Sequence, residues 1–363
     1  MKNIAFVIDK YVEIPCGGEP AINFNLIKYL LSFGYQIDVY CRQCDYVSGK
    51  LQINLFSDFE KNSQKYITQI LENNYDLIFA GKFMLKYPQL QADIISLHSH
   101  SDYYQQKKKF GILFDIFRIN RNRVNNEIKN LNNNADAIFI FCSKQLRKDY
   151  HSLSPIINSK IIYPYPNWLP QEDYKNNNNE IFTFGLSALG FQNKGGYLSL
   201  LSSCLLKFSG KKFKLKIIYK KKQNLLQKFL VIFLGLRDCV EFLPIQEDMT
   251  LFYESIDCLL LPSKLESFGM VGSEAMAFGK PVICSSTCGF SEKILDGQNS
   301  WVFKKNNLSV YNLYKKMLEA CDGQKYFQIR QYIQESYENN DEASYNKVVA
   351  ELIGGLLWCS CVN

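Results

Sequence analysis

The sequence predicts an α/β protein made of two doubly wound, Rossmann-like domains, each around a mainly parallel sheet. Three observations predict it. Short β-rich runs alternate with helix-length segments along the chain, which implies βαβ units. Most of these runs are continuously apolar rather than alternating, as strands covered on both faces are. Between two series of runs lies "YPYPNWLPQEDYKNNNNE" (163–180), with three prolines and then four consecutive asparagines, which reads as an exposed linker. At 363 residues the chain is also too long for one ordinary core.

The first series of expected strands is "NIAFVI" (3–8), "QIDVYC" (36–41), "LQINLF" (51–56), "DLIFAG" (76–81), "DIISLH" (93–98), "AIFIFCS" (137–143) and "KIIYPYP" (160–166). The second is "IFTFGLS" (181–187), "FKLKIIY" (213–219), "VEFLP" (240–244), "CLLLPS" (258–263), "PVICSS" (281–286) and "SWVFK" (300–304). Past residue 325 the apolar spacing is helical and no further strand is expected. Asn-rich patches read as loops.

Hydrophobic residues make up 47% of the chain and charged residues 21%, an ordinary soluble composition. The longest apolar run, "FLVIFLGL" (229–236), falls far short of the ~18 residues of a membrane span. The opening "MKNIAFVID" lacks the long apolar region of a cleavable signal, so a cytoplasmic location is expected. The twelve cysteines make no matched set of pairs, and there are only three histidines, so reduced thiols are expected rather than a zinc site. The net charge of +7 is modest and no recognition motif accompanies it, which argues against nucleic acid.

The segment "LESFGMVGSEAMAFGKPVI" (265–283) places Glu266 and Glu274 eight positions apart. With "DCLLLPS" as a buried strand and "GSEAMAF" as a helix, Glu266 falls in the strand-to-helix loop. Glu274 falls about two turns into the helix if it begins near Ser267 or Phe268. Ligands of open α/β sheets bind at this edge, where helix N-termini favour phosphate. A carboxylate there accepts hydrogen bonds from vicinal hydroxyls, as on a ribose. Gly269 and Gly272 allow close backbone approach. Both glutamates on a solvated helix surface is the plainer reading of two acids alone.

The whole string "PSKLESFGMVGSEAMAFGKPVI", with the following "CGFSEKILDGQNSWVF", closely resembles the E-x7-E signature of glycosyltransferase family 4. "CGGEPAINFNLIKYLLSFGYQIDVY" (16–40) and "NLNNNADAIFIFCSKQLRKDY" (130–150) extend a weaker likeness over most of the chain, in particular to enzymes adding hexoses to the lipopolysaccharide core. The resemblance implies a GT-B fold with two domains facing a cleft. An acceptor-binding domain spans 1–165, a nucleotide-sugar-binding domain spans 166–330, and a C-terminal helix over 331–363 returns to the first domain. It implies a retaining hexosyltransferase using a nucleotide sugar, such as a UDP-sugar, with a surface glycan as acceptor. A phosphorylase or a sugar-nucleotide epimerase shares the fold, though the motif string favours transfer, and a non-catalytic sugar-nucleotide-binding subunit is a further alternative.

The resemblance also assigns roles. Gly17 and Gly18 form the loop whose backbone N–H groups meet the donor's diphosphate or the acceptor from the first domain, unless they are a plain βα turn. His98 contacts the transferred sugar, though His100 lies two residues on and alternation places both on one side. Ser267, Phe268, Gly269, Met270 and Val271 line the diphosphate and nucleotide, Glu274 takes the ribose and Glu266 the donor sugar. Lys194 is kept on the departing diphosphate, but Leu189 stands where the family commonly has an Arg. One of Lys220, Lys221 and Lys222 can replace that charge, the others being a solvated basic turn. No Asp-x-Asp occurs, so neither metal nor another cofactor is expected.

A further stretch, "KKKFGILFDIFRINRNR" (107–123), carries Phe110, Leu113, Phe114 and Phe117 at helical spacing between lysines and arginines. It reads either as a helix lying on an anionic membrane surface or as a helix packed on the first sheet.

Overall fold

A computed structural model describes residues 2–11, 18–44, 51–55, 59–87, 89–101, 105, 121–164, 181–219, 225–246, 248–338 and 345–359. Thirteen strands occur among them, one in each expected run. In the first series these are β1 (Asn3–Tyr11), β2 (Gln36–Cys44), β3 (Gln52–Leu55), β4 (Leu77–Gly81), β5 (Ile94–Leu97), β6 (Ile138–Phe141) and β7 (Ser159–Ile161). In the second they are β8 (Phe182–Ser187), β9 (Phe213–Ile218), β10 (Val240–Leu243), β11 (Cys258–Leu261), β12 (Val282–Ser285) and β13 (Trp301–Phe303).

The chain divides into two compact units, Met1–Tyr165 with Ala343–Asn363, and Pro166–Glu342. The first holds a seven-stranded sheet ordered β3-β2-β1-β4-β5-β6-β7, and the second a six-stranded sheet ordered β10-β9-β8-β11-β12-β13. Every strand pairing is parallel. In each sheet the order reverses at one point, between β1 and β4 and between β8 and β11. Connections diverge there, so the loops after both strands open a crevice at the strands' carboxyl ends.

The helices of the first unit are α1 (Glu19–Ser32), α2 (Phe59–Glu72), α3 (Arg121–Asn133) and α4 (Lys144–His151). α4 begins at Ser143, whose hydroxyl accepts from the Leu146 N–H at 3.0 Å. In the second unit they are α5 (Gly196–Phe208), α6 (Leu225–Phe233), α7 (Thr250–Glu254), α8 (Met270–Ala277), α9 (Ser309–Ala320) and α10 (Gly323–Glu338), while α11 (Tyr345–Cys359) lies in the first. The tail over 331–363 is thus divided. α10 is tied to the second unit, where the Tyr326 hydroxyl donates to the Asp257 carbonyl at 3.1 Å and Arg330 Nε to the Gly279 carbonyl at 3.3 Å. α11 packs beside α1 and buries Tyr345, Val349, Ile353 and Leu357, which recur at helical spacing.

Among the described residues no helix is long and apolar enough to cross a membrane. No group of three metal-ligating side chains occurs among them either. The described cysteines are free thiols. Residues 107–120, Gly17 and Lys220–Lys222 lie outside the described residues, as does the linker from 165 to 180.

Candidate active site

At the reversal point of the second sheet, the turn after β8 meets the loop after β11. Backbone bonds fix the first: Lys194 N–H donates to the Gly190 carbonyl at 2.8 Å and Gly196 N–H to the Phe191 carbonyl at 2.7 Å. A further bond joins the two segments, from Lys264 N–H to the Asn193 carbonyl at 2.7 Å. Gly195 sits between them at φ 78°, so close that a Cβ there would lie 2.4 Å from the Pro262 carbonyl oxygen. Only glycine combines that left-handed backbone with that approach.

This packing brings Lys194 and Glu266 together, 72 residues apart in sequence: Lys194 Nζ donates to Glu266 Oε2 in a direct ion pair. Ser263 Oγ donates to the same oxygen at 3.2 Å. Glu266 is itself held through its backbone, which bridges to Cys288 and accepts from the Gly289 N–H at 3.1 Å. Neither charge is deeply enclosed, the side chains being 33% and 15% exposed, so a polar ligand can compete for both.

Behind this pair starts α8. Its cap is Gly269 at φ 103°, which supplies no side-chain hydrogen bond to the first turn. That leaves the positive end of the helix to an anion. The helix begins at Met270, so Glu274 is its fifth residue, little more than one turn in rather than two. The later start has a local cause: the Phe268 carbonyl accepts from the Phe290 N–H at 2.6 Å and from Cys288 Sγ at 2.9 Å, pinning the chain outside the helix. Phe268 is buried edge-on against Phe290 at 5.7 Å, so its side chain belongs to the core. Gly272 likewise serves packing: a Cβ there would fall 2.5 Å from the Phe290 ring, and the space is taken by protein rather than left for a ligand. Met270 is buried, while Ser267 and Val271 are half-buried.

Glu274 is buried, with 3% of its surface exposed, and Tyr253 of α7 donates its hydroxyl to Oε2 at 2.5 Å. Burial first, and then the Glu274 charge, push the Tyr253 hydroxyl well above its usual range, which keeps it a donor. A solvated-surface reading of Glu274 is therefore excluded. Leu189, in the turn before Lys194, is 47% exposed.

Sequence reasoning missed two groups here. Tyr253 carries no motif, since only the fold brings it to Glu274. Lys305, just after β13, donates from Nζ to the Pro262 carbonyl at 3.1 Å, adding a cation beside the Lys194 turn.

In the first unit the two histidines diverge. His98 follows β5; its Nε2 meets Ser96 Oγ at 2.8 Å and the Tyr345 hydroxyl at 3.4 Å. His100 Nδ1 meets Asp149 Oδ2 of α4 at 3.2 Å, an oxygen that also accepts from the Ser101 N–H at 2.8 Å. Simple alternation therefore does not hold past the strand end. Burial lowers the His98 pKa to about 4, so the ring is neutral near pH 7. Gly18 caps α1 at φ 68°. The following Glu19 was also missed: its Oε1 is enclosed against Gly81 without a hydrogen-bond partner. Burial chiefly, with help from Asp9 and against Lys82, raises its pKa to about 7.

The His98 shift makes a prediction. Its folded pKa lies below the usual 6.5, so in acid the unfolded chain takes up a proton that folded His98 does not. Stability is fully present above pH 6.5 and is lost as pH falls toward 4, by about 3 kcal/mol at the limit. Denaturant unfolding of wild type and His98→Asn across this window should show a shallower pH slope in the variant. Equal slopes would assign the acid sensitivity to other groups.

Residues 175–337 match the family model described as Glycosyl transferases group 1. An uncharacterized glycosyltransferase of Methanocaldococcus jannaschii is 32% identical over 108 residues, 30% of this chain and 29% of the relative. A D-inositol 3-phosphate glycosyltransferase of Streptomyces scabiei is 35% identical over 80 residues, 22% of this chain and 18% of the relative. The chain thus matches less than a third of the length of these curated relatives. Over nearly its whole length it shares its fold with WaaG, a glycosyltransferase involved in lipopolysaccharide biosynthesis, at TM-score 0.79 and 18% identity, covering 97% of this chain and 100% of WaaG. HepE of Anabaena, solved in complex with UDP-glucose, gives TM-score 0.69 at 16% identity, covering 97% of this chain and 99% of HepE. The fold is GT-B. The family match falls on the second unit and covers less than half of the chain.

Proposed function

We propose that the protein is a retaining glycosyltransferase of family 4 that moves a hexose from a UDP-sugar to a surface-glycan acceptor such as lipopolysaccharide core or capsule. The observation that carries this reading is the Lys194–Glu266 pair at the reversal point of the second sheet, set before the uncapped end of α8. UDP-glucose in HepE and the pathway of WaaG support the donor and acceptor classes.

In this reading the departing diphosphate takes Lys194 Nζ and the N–H groups at the start of α8, where they stabilise the charge that develops as the glycosidic bond breaks. Glu266, released from Lys194, accepts from hydroxyls of the donor sugar. Glu274, oriented by Tyr253, accepts from the ribose. His98 takes a hydroxyl of the transferred sugar as a neutral group, and Gly18 stands at the loop meeting the donor. Lys220, Lys221 and Lys222 remain further candidates for phosphate charge. No side chain need act as nucleophile; the enzyme holds the acceptor hydroxyl near the anomeric carbon and stabilises the leaving group. Such an acceptor is membrane-linked, and the reading therefore includes peripheral attachment at the inner face of the membrane. A non-catalytic sugar-nucleotide-binding subunit is the second reading, favoured by Leu189 in the place of the family's Arg. Binding of a donor without turnover across an acceptor panel would establish it.

Calorimetry with free UDP and with intact UDP-sugar tests the assignment. Glu274→Ala should weaken free UDP by roughly 1.5–3 kcal/mol, the loss of hydrogen bonds to a charged group. Glu266→Ala should leave UDP affinity equal or tighter, because it releases Lys194 to the phosphate, yet weaken the intact donor. Unchanged UDP affinity in Glu274→Ala, with the fold intact by thermal melting, sinks the ribose role.

A further inference from the structure

An amphipathic helix normally turns its apolar side inward. α6 turns much of its apolar side outward. Leu226, Phe229, Ile232 and Phe233 are 53%, 60%, 63% and 72% exposed, whereas the polar Gln227 is buried. Phe229 and Phe233 stack on each other at 5.6 Å between ring centroids. The end of α5 adjoins this face: Lys207 Nζ donates to the Gly235 carbonyl just beyond α6, and the neighbouring Phe208 is 84% exposed. The start of β9 adjoins it too, Lys214 Nζ donating to the Asp238 carbonyl at 2.8 Å.

The charge around this apolar face is mainly basic, with Asp238 and Glu241 the exposed acids just beyond it. From 181 to 237 the sequence holds ten lysines and one arginine, and no aspartate or glutamate. That +11 exceeds the net +7 of the whole chain, so the remainder is net acidic. Lys207, Lys211, Lys212, Lys214, Lys228 and Arg237 are all exposed in this part of the unit. A protein partner fits the patch poorly, because lysine is depleted at the cores of protein–protein interfaces. Exposed aromatics bracketed by lysines suit the interface of a bilayer, where rings enter the acyl boundary and ammonium groups meet anionic headgroups.

We propose that α6, with the adjoining end of α5, docks the second unit onto an anionic membrane surface. The inference stands on this patch and does not depend on glycosyl transfer. It is also separate from residues 107–123, which belong to the other unit.

Vesicle co-sedimentation of the full chain tests it, using phosphatidylcholine alone and phosphatidylcholine with phosphatidylglycerol. Wild type should partition onto the anionic vesicles and come off progressively with salt. Phe229→Ser with Phe233→Ser should cut that partition by about tenfold or more, since apolar insertion is lost while the lysines remain. Lys212→Glu with Lys228→Glu should remove the preference for anionic over neutral vesicles. Far-UV circular dichroism and melting temperature serve as the fold control, and both pairs should retain the wild-type values. Should the serine variant misfold, Phe233→Trp keeps the face apolar and reports insertion as a blue-shifted emission on adding anionic vesicles, relative to wild type. Unchanged partition in the serine variant, no emission change in Phe233→Trp, or loss of self-association in place of loss of vesicle binding would overturn the proposal. The last result would mark the face as a contact between copies of this chain.

Discussion

Lys194→Ala should lower turnover by about 100-fold, the usual cost of removing one preorganised donor from developing charge. Lys194 is positioned for this by a turn with little freedom. Its own N–H is bonded to the Gly190 carbonyl and the next residue is wedged against Pro262, so the backbone that carries the ammonium is fixed. A group fixed before the reaction loses little in reorganisation when the phosphate departs. The folded state should tolerate the substitution, since a partly exposed ion pair contributes only about 0–1 kcal/mol. The loss should therefore fall on turnover more than on melting temperature. Lys194→Arg should restore the rate only in part, because a guanidinium keeps the charge but grips Glu266 through two N–H groups and yields it less readily to the phosphate. The same reading places the charge in protein cations, so turnover should persist in excess chelator. Loss of activity on chelation, restored by magnesium, would show that a metal carries the charge instead.

The strands were legible because strands covered by helices on both sides are apolar throughout, and such runs are visible without knowing their partners. Their ends were less so. β1 and β2 continue past the expected limits through Lys10 and Gln43, since pairing persists there while the apolar run does not. In the site, Glu266, Glu274 and Lys194 were each legible from a local string. Their relations were not. Lys194 meets Glu266 because β8 lies beside β11, a neighbour relation set by the order of the whole sheet. Tyr253 reaches Glu274, and Tyr345 reaches His98, across separations that carry no local signature. Gly272 shows the opposite failure. Its place beside the glutamates resembled an opening for ligand, and the phenylalanine that fills that opening lies 18 residues on.

Gly195→Ala should damage stability and turnover together, and Gly210→Ala separates the two causes. Both glycines have φ 78°, where an L side chain is strained, so each substitution should cost about 1–2 kcal/mol from backbone conformation. At Gly210 nothing lies within 4 Å of an added Cβ, and strain is the whole cost. At Gly195 the added carbon would stand 2.4 Å from the Pro262 carbonyl oxygen and 2.9 Å from its carbonyl carbon. These are backbone atoms, so no side-chain rotation relieves the contact. Either the turn bearing Lys194 or the loop bearing Glu266 must move. The Pro262 oxygen also accepts from Lys305, and Ser285 Oγ holds the Ser263 carbonyl at 3.0 Å, so the loop is braced on its far side. The turn is the less constrained partner, and its displacement draws Lys194 away from Glu266. Gly195→Ala should then lose a further ~1–3 kcal/mol from the forced shift, as overpacked sites do. Its turnover should fall more than tenfold even where the protein remains folded, since small misplacements of a charge-stabilising group are costly. Gly210→Ala should keep wild-type turnover. Equal melting temperatures and equal rates in the two variants would show that the turn and the loop are not wedged together in solution.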